Sequence, residues 1–128
     1  MKKISTLLLT LFVFSGTVAA ADYMTADEVK ALMSGKTFDG LYLPKDKKFQ
    51  AYEDPDGTHN VYYPKKGKHS KNRKWSVNEK GQHCTTSKKW DGFRCTNVKD
   101  AGNGEYHKIT DDGEHTHTLT NFRDGNKL

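Results

Sequence analysis

Cysteine is scarce in this 128-residue chain: there are two, Cys84 and Cys95, eleven positions apart. A structural zinc site takes about four ligands, usually in closely spaced pairs. A dithiol redox centre prefers two intervening residues at the start of a helix. The sequence has neither pattern. Apolar residues are also few, 34% of the chain, so only a modest core can be built. Beyond the N-terminal leader no apolar run approaches the roughly 20 residues that a membrane-spanning helix needs. Catalytic signatures are missing as well. Ser70, Ser76 and Ser87 lack the glycine-flanked elbow of a nucleophilic serine. No helical pattern carries the paired histidines of a metallohydrolase. The acidic segments DPDG (54–57) and DDGE (111–114) lack the further oxygen ligands of a calcium loop and read as turns. Asp39, Glu53, Asp91 and Glu105 have no spacing that marks an acid–base pair. No catalytic residue and no cofactor is expected, and an enzyme is the disfavoured class.

What is present begins with an export signal. Lys2 and Lys3 precede the apolar stretch ISTLLLTLFVFSG, and small residues follow in TVAAAD. That three-part pattern is a secretory leader. Cleavage fits after Ala20 or, preferably, Ala21, so residues 1–21 are expected to be removed and 22–128 to form a single domain. Without Lys2 and Lys3, 19 of the 21 basic residues face 16 acidic ones, and the formal charge drops from +5 to +3. The destination is the periplasm or the exterior, where two cysteines normally mean one disulfide.

The mature chain opens with a helical signal. Thr25 followed by Glu28 forms a capping box, Val29, Leu32 and Met33 make one apolar stripe, and Gly35 ends it. So short a helix must lie against something, and its expected role is to cover an opening or an edge of a sheet. The period then becomes extended. TFDGLYL (37–43), KFQAYE (48–53), THNVYY (58–63), KWSVN (74–78), QHCTTSKKW (82–90), FRCTNVK (93–99), EYHKIT (105–110) and HTHTLTNF (115–122) read as short strands between turn signals. Gly40 marks a bulge or bend in the first. PKKGKHSKNR (64–73) has no hydrophobic period and reads as irregular. Connections this short exclude parallel crossovers. The expected fold is all-β: an antiparallel meander of about eight short strands, closed as a small barrel or left as a strongly curved sheet, with one short N-terminal helix. The core is expected to draw on Phe38, Leu41, Leu43, Phe49, Tyr52, Val61, Tyr63, Trp75, Val77, Trp90, Phe93, Val98, Tyr106, Ile109, Leu119 and Phe122.

Three segments, ADEVKALMSGKTFDG (26–40), the DPDGT turn (54–58) and WSVNEKGQHC (75–84) followed by FRCTNV (93–98), together resemble small uncharacterised secreted bacterial proteins. The resemblance implies a small exported β-domain with a cysteine pair. It brings no catalytic residues.

Cys84 and Cys95 are expected to pin adjacent strands as a disulfide. A two-residue turn at Asp91-Gly92 would oppose residues summing to 183, whereas the cysteines sum to 179. The pin therefore predicts a turn nearer Lys89-Trp90, or a bulge, with Trp90 at the rim. Lys65, Lys66, Lys68, Lys71, Arg73 and Lys74 form a basic stretch that could meet an anionic surface. His115 and His117, two apart on a strand, share a face on strict alternation and are candidate metal ligands. A two-residue turn at Asp112-Gly113 would place Thr110 and Lys108 opposite them; a loop one residue longer would bring His107 to their side. The functional expectation is an exported, non-enzymatic module that binds an anionic envelope component, such as a polysaccharide, or a protein. The alternatives are a small-molecule carrier with a barrel cavity lidded by the helix, and a metal-handling protein acting through His115 and His117. Nucleic acid is not an expected partner for an exported chain, and no transmembrane segment is expected to remain after cleavage.

Overall fold

Alternation of inward and outward residues along each strand decides the architecture. The computed structural model describes residues 22–128; the leader expected over 1–21 lies outside the described residues. Helix α1 (Ala26–Met33) is capped as its sequence requires: the Thr25 hydroxyl accepts the Glu28 N–H, and the Glu28 carboxylate accepts the Thr25 N–H at 2.8 Å. The strands are β1 (Lys36–Tyr42), β2 (Lys47–Glu53), β3 (Thr58–Tyr63), β4 (Lys68–Val77), β5 (His83–Thr85), β6 (Arg94–Gly102), β7 (Glu105–Ile109) and β8 (His115–Asp124). Each pairs antiparallel with the next, and β1 also pairs with β8, so the meander closes into an eight-stranded barrel. Closure removes both sheet edges.

The two ends of the barrel differ. At one end α1 acts as a plug. Val29 and Met33 are fully buried against Phe38, Ala51, Trp75, Val98 and Leu119. The helix is tied to the strand ends by Met24 N–H to Val98 C=O and Gly35 N–H to Glu53 C=O, at 2.8 and 2.7 Å. The indole N–H of Trp75 donates to Asp54 C=O on the same side. At the other end the connections β1–β2 and β5–β6 surround an open mouth.

Turn chemistry sets the register. Asp54 and Asp56 accept the N–H groups of Asp56 and Thr58, so their oxygens brace the β2–β3 hairpin. No bulge falls at Gly40. It pairs in register with Phe49, whose ring tip occupies the space above it, and any side chain at position 40 would collide with that ring. The irregularity falls instead beside Phe38, where β1 slips by one residue against β8.

Three expectations are corrected. Residues 68–73, expected to be irregular, are the first half of β4, paired with β3 from Tyr63↔Lys68 onward. Their side chains face mostly solvent, so no apolar period announces the strand. The long strand expected over 82–90 is reduced to β5, and 86–93 form a wide connection in which the Trp90 N–H bonds Ser87 C=O. Among the expected core residues, Leu43 and Phe93 are exposed, at 38% and 48%. Leu43 opens a short 3-10 turn (Leu43–Lys45), and Phe93 sits in the wide connection.

Cys84 and Cys95 are directly opposed on β5 and β6 and form a disulfide. Trp90 lies at the mouth with the Arg94 guanidinium over its ring at 4.5 Å, the rim position that the cysteine register demanded. No helix among the described residues is long and apolar enough to cross a membrane.

Candidate functional site

Inward positions of a small barrel are usually apolar. Several here are charged or hydrogen-bonding. On β2, the inward series Phe49, Ala51, Glu53 ends in a carboxylate with no exposed surface. On β3, His59 precedes inward Val61 and Tyr63. On β4, Arg73 precedes Trp75. On β5 the inward residues are His83 and Thr85, and on β7 and β8 the paired Lys108 and His117 point in.

Glu53 organises the deep part. Its Oε1 accepts the Nδ1–H of His59, and its Oε2 accepts the Nε2–H of His83 at 2.6 Å. Burial alone would raise its pKa, but the two imidazoles hold the carboxyl at about 2, so it is ionised. His83 is pushed down to about 4, first by burial and then by the Lys108 charge, against the pull of Glu53. It is neutral at pH 7. Lys108, 6% exposed, is lowered by burial to about 8, with Glu53 opposing the shift. His117 falls to about 2, through burial and then the Lys108 charge.

Beside this network lies a cavity of about 350 Å³, near the lower end of the roughly 300–1,000 Å³ typical of small-molecule sites. Phe38, Phe49, Val61 and Leu119 supply its apolar wall. Its charged lining is of one sign: Lys45, Lys47, Arg73, Lys89, Arg94 and Lys108, with His59, His83 and His117 and no carboxylate. Glu53 stays behind its two histidines, outside the lining. Two of these cations rest on Tyr63. Lys47 sits 4.4 Å above the Tyr63 ring, and Arg73 donates to the Tyr63 hydroxyl at 3.1 Å. Two buried polar atoms at the site, Arg73 Nε and His83 Nδ1, have no hydrogen-bond partner.

The basic stretch is split by this geometry. Lys65 and Lys66 occupy the β3–β4 turn, while Lys68, Lys71 and Lys74 are exposed on β4. Arg73 alone among them enters the cavity. The histidine pair is split as well. Lys108 opposes His117 as a two-residue turn implies, but a bulge then pairs Ile109 with His115. The extra residue turns His115 to the other face, where its ring stacks on His107 at 3.8 Å. His107 in turn donates to Glu105 at 2.6 Å. His117 points inward against Tyr42 and Phe49. The two imidazoles thus do not converge. Among the described residues no group of three or more His, Cys, Asp or Glu side chains is placed to hold a metal ion.

His59, His83, Glu53 and Lys108 belong to no sequence motif that marks them as site residues. A signal existed: each lies in phase with apolar inward neighbours on its strand, as in Ala51–Glu53 and His59–Val61–Tyr63. Polar residues in phase with the core are either errors of register or a lined cavity.

Comparison of the chain with protein-family models, with curated proteins and with solved structures gave no match.

Proposed function

We propose that this protein is an exported, non-enzymatic carrier or receptor that holds a small organic anion inside its barrel. One observation carries the reading: six Lys and Arg side chains line the cavity and no carboxylate does. Lys108 is buried and Arg73 and Lys47 are partly buried, so an anion beside them meets positive charge that the fold has already withdrawn from water, while the exposed Lys45, Lys89 and Arg94 add positive charge at the rim. The apolar wall favours a ligand with a hydrocarbon or aromatic body, and the open mouth with Trp90 and Arg94 gives it a route in. Export accords with the leader sequence and with the disulfide. The rival seat for an anion, the exposed lysines of the β3–β4 turn, is solvated and screened by salt.

Calorimetric titration with phenylacetate and with 8-anilinonaphthalene-1-sulfonate tests the reading. Both are expected to bind, and Lys108→Met together with Arg73→Met is expected to weaken binding at least tenfold. Charge reversal at Lys65, Lys66 and Lys71 is expected to leave it nearly unchanged. Binding lost on that reversal, and kept in the cavity variants, would move the site to the outer surface.

A further inference from the structure

His83 lines the cavity and carries a buried acceptor that nothing in the protein uses. Its ring is fixed at one end: Nε2–H donates to Glu53 Oε2 at 2.6 Å, and Glu53 is anchored through its other oxygen to His59. A neutral imidazole that donates through Nε2 carries a lone pair on Nδ1. The side chain is 1% exposed, lines the cavity, and its Nδ1 has no partner. Thr96, directly across the β5–β6 ladder on the same face, does not fill the gap; its hydroxyl is buried and unpartnered too. A buried acceptor without a donor is costly unless a ligand supplies one.

Resting on the anion reading above, we propose that the ligand is an organic acid carrying a second polar group, a hydroxyl or N–H, which it donates to His83 Nδ1. The acid group is met by the Lys and Arg side chains of the lining, and the body of the molecule by Phe38, Phe49 and Leu119. Simple apolar acids and inorganic anions satisfy the charge and leave the deep acceptor empty. His83 acts as a specificity residue, with Glu53 positioning it.

The experiment compares matched acids by calorimetry on the disulfide-bonded protein at pH 7.5. The pairs are 4-hydroxyphenylacetate against phenylacetate, and indole-3-acetate against naphthalene-1-acetate; each pair keeps the charge and nearly the shape while removing one donor. The donor member of at least one pair is expected to bind about tenfold tighter, the worth of one well-placed buried hydrogen bond. His83→Phe is expected to erase that preference, bringing the two members of the pair to equal affinity. Should that variant fail to fold, the wild-type ¹⁵N resonance of His83 Nδ1 gives the readout: it must shift with the donor acid and stay unmoved with its partner. Equal affinities within both pairs would overturn the proposal while leaving the anion reading intact. So would a preference that survives His83→Phe, or a shift that fails to distinguish the acids. Absence of binding by every acid would overturn both.

Discussion

At the scale of single residues, the unusual position is Glu53. A buried carboxylate is tolerated only when paired and hydrogen-bonded, and here both oxygens are engaged by imidazoles. Removing it leaves two buried rings and the Lys108 ammonium without a counter-charge. Glu53→Ala is expected to cost about 3–5 kcal/mol, the scale for breaking a buried ion pair by deleting one partner. Glu53→Gln should cost clearly less, since an amide keeps the volume and accepts from one imidazole. Urea unfolding of the two variants measures the difference; equal losses would show that the carboxylate charge contributes little. Gly40 makes a second residue-scale case. Phe49 occupies the space a side chain at 40 would need, so Gly40→Ala should lose about 1–3 kcal/mol as overpacking. Adding Phe49→Leu should recover part of that loss, because contacting residues are coupled. Simple additivity of the two changes would remove the ring as the cause.

At the scale of elements, β5 is the weak member of the barrel. It has three residues, too few to hold two ladders by backbone bonds alone, and it is followed by a wide connection. The Cys84–Cys95 disulfide joins β5 to β6 there, ahead of the connection that carries Ser87, Lys89 and Trp90 into the mouth. Replacing both cysteines by serine is expected to cost about 2–3 kcal/mol, the range for a closed loop of this length. Amide exchange should rise first in β5 and in 86–93, with β1, β2 and β8 the last to follow. Uniform loss of protection would argue against a local staple.

The elements also show what the sequence could and could not reveal. Helix α1, the DPDG turn and the order of strands were legible because capping chemistry and turn residues act locally. The cysteine numbers even placed Trp90 at the rim. The first half of β4 was illegible because Lys68 to Asn72 lie mostly in solvent, and only pairing with β3 makes them a strand. The cavity was illegible for the opposite reason. Its polar residues occupy inward positions that a search for apolar alternation discards, and their partners, such as Glu53 with His83, are 30 residues apart. The His115 face depended on a bulge, which a register sum cannot supply.

For the whole molecule, the cavity network ties the fold to pH. Glu53 is lowered from 4.5 to about 2, so the stability it contributes is present above 4.5 and is lost as pH falls toward 2. His83 and His117 are lowered from 6.5 to about 4 and about 2. Between those values and 6.5 the unfolded chain binds protons that the folded chain refuses, so these groups also make stability fall with falling pH. Lys108 is lowered from 10.5 to about 8, and its buried charge is a penalty that lifts as pH rises from 8 to 10.5. All four groups therefore act in one direction. The urea midpoint is expected to decline steadily below about pH 6.5 and to rise between pH 8 and 10.5. His83→Phe should make the acid limb between 4 and 6.5 shallower, with His117 supplying what slope remains, and Lys108→Met should abolish the alkaline rise. An organic acid bound near Lys108 would stabilise its ammonium, raise its pKa and reduce that rise in the loaded protein. A midpoint that is level from pH 4 to 6.5, or an alkaline rise that survives Lys108→Met, would show that these buried groups do not set the pH response.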